Sequence, residues 1–114
     1  MKKILITTIS MIFFPYSLMA KPLDCHSWPM SMAEVWMKNA GIVDIVNLDE
    51  SKTEIKLLAS EKKEKDLYTQ VYHFIFHDKQ GNTYQIITKN DASSEECSMS
   101  EVNSYLISKS NINY

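Results

Sequence analysis

The sequence predicts an α+β fold in which an N-terminal helix packs on an antiparallel meander of about four strands, with one disulfide. Three observations predict it. Apolar residues recur at helical spacing after residue 30. Aromatic and β-branched runs of strand length follow, separated by polar turns. Two cysteines, Cys25 and Cys97, lie before the helix and before the last strand.

Residues 1–20 have the pattern of a secretory signal peptide. Lys2 and Lys3 form a positive n-region, residues 4–14 are apolar, and Ala20 is the small residue that a cleavage site needs. The apolar run is too short to span a bilayer comfortably, and an uncleaved anchor is the alternative. We expect residues 21–114 to form a single small domain, periplasmic or secreted, without membrane attachment after signal cleavage.

The charge of the chain argues against nucleic acid as a partner. Residues 21–114 contain 10 lysines and 14 acidic residues, and the sequence has no arginine. Phosphate recognition favours basic surfaces that usually carry arginine. We therefore expect another protein as the partner, and no cofactor.

In an exported protein, two well-separated cysteines most often form a disulfide. The predicted Cys25–Cys97 bond would close a loop of 73 residues. The chain-entropy model assigns roughly 4 kcal/mol of stabilisation to such a loop.

A helix is predicted over residues 32–40. Ser31 and Glu34 have the spacing of a capping box, and Met30 and Val35 occupy the positions of a hydrophobic staple. Gly41 follows where a left-handed residue ends many helices. The expected buried face consists of Met32, Val35, Trp36 and Ala40.

Four strands are predicted from period-two alternation. They cover residues 53–59, 67–77, 83–89 and 102–108, with a charged hairpin loop or solvated strand end at 61–66. The first and last of these segments have a helical alternative. The strongest strand places Tyr72, Phe74 and Phe76 on its core face. Its other face holds Val71, His73, Ile75 and His77, and a hairpin loop follows at 78–82.

Several residue groups of the sequence are candidates for a chemical site. Cys25 beside His26 would be a nucleophile and base only if the thiol were free. His73 and His77 lie about 13 Å apart on a strand, too far to share a metal ion. Copper(I) favours thioether ligands, and four methionines lie near His26 in the sequence, although methionines at helical spacing usually fill a core. These are Met30, Met32, Met37 and Met99.

Three strings, "DCHSWPMSMAEVWMKNAGIVD", "ASEKKEKDLYTQVYHF" and "NDASSEECSMSEV", resemble a set of short exported proteins of Gram-negative bacteria. The resemblance covers nearly all of residues 21–114 and implies export, but no established activity. Some members are labelled "Shiga toxin A subunit", which implies an rRNA N-glycosidase with a catalytic arginine. This chain has no arginine and a negative net charge, so we treat that label as a misannotation and transfer no catalytic residue.

The sequence therefore predicts a small disulfide-stabilised protein that binds rather than catalyses, of the inhibitor, immunity or envelope accessory type. The candidate binding surface comprises Trp28, His73, Ile75 and His77, extended by Val71, Gln85 and Ile87. Tryptophan is included because it is enriched at interfaces. A secreted toxin-like enzyme and a periplasmic copper-binding protein are the alternatives.

Overall fold

The fold of residues 23–110 is described by a computed structural model. The chain forms helix α1 (Ser27–Asn39) and strands β1 (Glu54–Glu64), β2 (Leu67–His77), β3 (Thr83–Ala92) and β4 (Asn103–Ser110). The four strands make one antiparallel sheet in the order β1-β2-β3-β4. This confirms the predicted helix and meander, including a strand rather than a helix for β1 and β4.

The predicted signal peptide lies outside the described residues. Within residues 23–110, none of the helices has the length and apolar character needed to span a bilayer.

Helix α1 begins five residues earlier than predicted, so the expected capping box is wrong. The first intrahelical bond runs from the N–H of Met30 to the carbonyl of His26, at 3.0 Å. Pro29 lies in the first turn, where a backbone N–H has no acceptor within the helix, so its missing donor costs nothing there. Ser31 and Glu34 lie inside the helix, with Ser31 exposed and Glu34 buried.

The buried face of α1 is also rotated from the predicted one. Its buried residues are Pro29, Ala33, Glu34 and Met37, whereas Val35 is exposed and Trp36 is only half-buried. The small side chain of Ala33 lets the helix approach the sheet closely, and the flexible Met37 fills the remaining gap. The larger Trp36 packs at the edge of this contact.

The core lies between α1 and one face of the sheet. The predicted aromatic residues Tyr72, Phe74 and Phe76 are all buried there, with ring centroids 5.6 and 5.7 Å apart along β2. The rest of the core comprises Ala33, Met37, Leu48, Tyr84 and Ile86. Burying a side chain of this size contributes about 1.5–3 kcal/mol, so this cluster is the main apolar contribution to stability.

The strands extend beyond their predicted ends. The charged run at 61–64 belongs to the end of β1 and is exposed. Of the two structures expected for this run, a hairpin loop or a solvated strand end, the second is therefore found. Asp66, with φ 54°, turns the chain into β2. Register shifts interrupt β1 at two places and β4 at one, between its pairs with Gln85 and Ile86.

The predicted disulfide is present. Cys25 and Cys97 are bonded, with their Cα atoms 5.4 Å apart, so the bond joins the segment before α1 to the loop between β3 and β4. The backbone N–H of Cys25 also donates to the Tyr72 hydroxyl at 3.0 Å. This hydrogen bond ties the N-terminal segment to the centre of the sheet.

Candidate functional site

The face of the sheet turned away from α1, here called the open face, is the candidate site. Side chains alternate between the two faces of a strand, so burial of Tyr72, Phe74 and Phe76 against α1 directs their neighbours outwards. On β2 these neighbours are Val71, His73, Ile75 and His77, and on β3 they include Gln85 and Ile87.

The middle of the open face combines apolar side chains with His73 and with two lysines, Lys56 opposite His73 and Lys89 opposite Val71. Ile87 lies between His73 on one side and Tyr105 of β4 on the other. Val71 and Ile75 flank His73 along β2. The β2 and β3 residues are half-buried, while Tyr105 is 53% exposed. Three strands thus contribute apolar side chains to one patch, Val71, Ile75, Ile87 and Tyr105, with His73, Lys56 and Lys89 beside them.

His73 is fixed within this patch by a neighbour. Its Nε2 lies 3.0 Å from Oε1 of Gln85, diagonally across the β2–β3 pair. A ring held in one orientation loses less conformational freedom when a partner covers it. His73 therefore gives the apolar centre a rigid polar group.

Charged and polar pairs lie at the two ends of the open face. At one end, His77 Nε2 lies 2.9 Å from Glu54 Oε2. At the other end, Asp91 accepts hydrogen bonds from Thr69 Oγ1 at 2.7 Å and from Lys63 Nζ at 3.0 Å. These bonds, Thr69 first, lower the pKa of the Asp91 carboxyl. The Asp91 carboxylate therefore stays ionised, and the apolar centre has a polar border.

Trp28 does not belong to the open face. It lies in the first turn of α1, on the opposite side of the sheet, with 38% of its surface exposed. There it lines an apolar depression beside the Cys25–Cys97 bond, together with Ser27 and Ser31. The structure thus brings together His73, Ile75 and His77 of the predicted surface and separates Trp28 from them.

The other candidate groups have structural roles. The sulfur of Cys25 is in the disulfide, so it is not a free nucleophile, and His26 Nδ1 lies 2.7 Å from Asp24 Oδ1. Met37 is fully buried in the core, and Met30 packs against it. Among residues 23–110, no three His, Cys, Asp or Glu side chains form a group that could hold a metal ion.

Two residues of interest were missed by sequence reasoning. Tyr105 lies on the open face, and period-two alternation along β4 could have predicted that position. Glu34 is only 6% exposed, and its Oε2 atom has no hydrogen-bond partner among the described residues. Burial, a hydrogen bond with Glu50 and the nearby Glu50 charge raise the pKa of Glu34 to about 7. The buried position of Glu34 could have been predicted from its spacing, since it shares one helix face with Met30, Ala33 and Met37.

Comparisons with protein-family models, with curated proteins and with solved structures find no match to this chain. The resemblance to small exported proteins of Gram-negative bacteria therefore stays a prediction from the sequence.

Proposed function

We propose that this chain is an exported, non-catalytic binding protein that uses its open face to contact another protein. The observation that carries the proposal is the apolar patch of Val71, Ile75, Ile87 and Tyr105, which lies on the face away from α1. A sheet face that serves only as solvent-facing surface usually carries polar side chains at these positions.

The arrangement of the open face supports protein binding over binding of a small molecule. Protein interfaces have an apolar, often aromatic centre and a polar border. Here Ile87 belongs to the centre and Tyr105 lies beside it on the outer strand β4, while the His77–Glu54 and Lys63–Asp91 pairs lie at the ends. Small-molecule sites, in contrast, are concave and enclose most of their ligand.

The size of the open face suits a transient complex. From Thr69 to His77 the face is about 27 Å long, and four strands give it a width of about 14 Å. The resulting area of roughly 400 Å² is about half of what one partner contributes to a standard interface. We therefore expect a single copy to bind its partner weakly and reversibly.

Export is part of the proposal. The N-terminal pattern of Lys2, Lys3 and the following apolar run supports a signal peptide. The Cys25–Cys97 bond supports an oxidising compartment, because disulfides persist mainly there.

Site-specific photo-cross-linking tests the proposal. A photoreactive residue at position 105 is expected to capture a distinct protein in cells that make this chain. The same residue at position 46, where Val46 is 70% exposed outside the sheet, is the control and should not capture that protein.

The substitution Ile87→Lys should abolish capture at position 105, because a lysine would lie in the centre of the apolar patch. The matched variant Val46→Lys adds the same charge elsewhere and should leave capture unchanged. If Ile87→Lys folds normally, as judged by circular dichroism, and still captures the same protein, the open face is not the binding surface.

A further inference from the structure

Two lysines in the middle of the open face form no ion pair within residues 23–110. Lys56 of β1 lies opposite His73, and Lys89 of β3 lies opposite Val71, so the two lysines stand on either side of β2. Both side chains are exposed. The middle of the open face therefore presents two positive charges, although the net charge of the chain is negative.

The carboxylates of the open face lie towards its two ends. Glu54 and Asp91 belong to the polar pairs that border the face, and Glu61 lies at the same end as Asp91. The charge of Lys89 contributes to the lowered pKa of Asp91, but less than the hydrogen bonds that this carboxylate accepts. Neither lysine in the middle of the face is thus neutralised by a direct contact.

A partner that covers this part of the face must supply negative charge. Removing a lysine ammonium from water without a counter-charge is costly, whereas a carboxylate placed beside it offsets the loss of hydration. The neighbouring side chains of Val71, Ile75 and Ile87 are apolar and half-buried, and they favour apolar contact between the two lysines. The face is therefore complementary to a surface on which carboxylates flank an apolar side chain.

The positions of the two lysines set the spacing of those carboxylates. His73 and Val71 are two residues apart along β2, which is about 7 Å, and β1 and β3 are two strand spacings apart, which is about 10 Å. The Cα atoms of Lys56 and Lys89 are therefore roughly 12 Å apart, diagonally across the face. Four residues of an extended chain span about the same distance.

We propose that the partner of the open face is a protein whose contacting segment has two acidic residues, four apart, with an apolar residue midway between them. The carboxylates would pair with Lys56 and Lys89, and the apolar side chain would pack over β2 between His73 and Val71. Because it concerns the same face, an acidic partner of this kind rests on the proposed function and specifies the partner's chemistry.

The charges around the two lysines favour a protein over a nucleic acid. A nucleic-acid backbone carries a negative charge at every phosphate. It would be repelled by the carboxylates of Glu54 at one end of the face and of Glu61 and Asp91 at the other. Two lysines between acidic ends suit discrete carboxylates instead.

Charge variants combined with photo-cross-linking at position 105 test the proposal. Lys56→Gln with Lys89→Gln removes the two charges and should reduce capture of the partner protein about tenfold, whereas Lys56→Glu with Lys89→Glu should reduce it about a hundredfold. Lys62→Glu is the matched control. Lys62 is exposed in β1 but pairs with Tyr68 on the side of α1, so its reversal should leave capture unchanged.

Mass spectrometry of the cross-linked product gives a second readout. With the photoreactive residue at position 71, beside Lys89, the captured segment should contain two Asp or Glu residues four apart. Changing both of them to lysine in the partner should abolish capture by the original chain and restore capture by the Lys56→Glu, Lys89→Glu variant. A segment without acidic residues, no restoration, or a cross-link to nucleic acid would each contradict the proposal.

Failure of this proposal and failure of the proposed function give different results. If the original chain captures no protein at position 105, the open face is not a binding surface, and an acidic partner is excluded with it. If the Lys56→Glu, Lys89→Glu variant folds normally by circular dichroism and captures the same protein as efficiently as the original chain, the open face binds a protein, but the two lysines do not select it.

Discussion

Glu34 is a carboxyl group enclosed between α1 and the segment that carries Glu50. Desolvation is the largest cause of its raised pKa, followed by the hydrogen bond and the like charge of Glu50. A carboxyl group whose pKa is higher in the folded state stabilises the protein while it is protonated. That contribution is complete below the ordinary value of 4.5 and is lost as the pH rises through about 7.

Replacing Glu34 with glutamine should therefore stabilise the protein at alkaline pH. The amide stays neutral and can donate to Glu50, so the free energy of unfolding should rise by about 2–3 kcal/mol near pH 8 and change little near pH 5. Urea unfolding at the two pH values measures this difference.

Two further variants serve as controls for Glu34→Gln. Glu50→Gln removes the like charge but leaves Glu34 buried, so it should reduce the pH dependence of stability only in part. Glu95→Gln changes an exposed carboxyl group and should have the same pH dependence of stability as the original protein. An equal gain at both pH values would mean that the effect of Glu34→Gln is not due to ionisation.

The β2–β3 hairpin is held by the side chain of one residue. The Asp78 carboxylate is 5% exposed and accepts hydrogen bonds from the backbone N–H groups of Gln80 and Asn82, the Asn82 side chain and the Tyr84 hydroxyl. Burial by itself would raise the pKa of Asp78, but these bonds outweigh it and lower the pKa. Gly81, with φ 95°, supplies the left-handed position that the turn needs.

The substitution Asp78→Ala should cost about 3 kcal/mol, since it leaves the buried Tyr84 hydroxyl and three part-buried N–H donors of the turn without an acceptor. Tyr84→Phe removes only one of these bonds and should cost about 1 kcal/mol. Thermal or urea unfolding at neutral pH measures both losses. Similar losses for the two variants would contradict a central role for the carboxylate.

Acid should weaken the hairpin in the same way as loss of the carboxylate. Asp78 has a lowered pKa, so its contribution to stability is present above the pKa of the unfolded chain and is lost as the pH falls through the folded value. Asp78→Ala should therefore lose less stability between neutral and acidic pH than the original protein does. A parallel decrease in both proteins would exclude Asp78 as a source of the acid sensitivity.

The sequence predicts the secondary structure elements better than their ends and orientation. Alternation along β2 correctly placed Tyr72, Phe74 and Phe76 in the core, because every second residue of a strand shares a face. The hairpin loop at 78–82 was equally clear from Gly81. The predicted buried face of α1 was wrong. Whether Ala33 or Trp36 contacts the sheet depends on how closely the helix approaches it. That distance is a property of packing and is not visible in a local pattern.

At the scale of the whole molecule, the candidate site was only partly predictable. His73, Ile75 and His77 share a face because they belong to one strand. Trp28 lies on the opposite side of the sheet because α1 packs there, and this relation between distant segments required the tertiary structure. The exposed edge formed by β4 required knowledge of strand order as well as strand position.

The Cys25–Cys97 bond is a covalent link between the segment before α1 and the loop between β3 and β4. It holds the start of α1 against the loop that leads into β4, across a sequence separation of 72 residues. Cross-linking so long a loop restricts the unfolded chain, and the chain-entropy model gives roughly 4 kcal/mol for this restriction. The double variant Cys25→Ser and Cys97→Ser should therefore lose about 4 kcal/mol of the free energy of unfolding, a large share of the total for a small domain.

Urea unfolding of the double variant beside the original protein measures this loss, and adding a reductant to the original protein should reproduce it. Met99→Ala, a change in the same loop at a side chain that is 49% exposed, is the matched control and should have little effect. The reductant should not alter the double variant. If the double variant unfolded at the same urea concentration as the original protein, α1 and β4 would be held in place by the core alone.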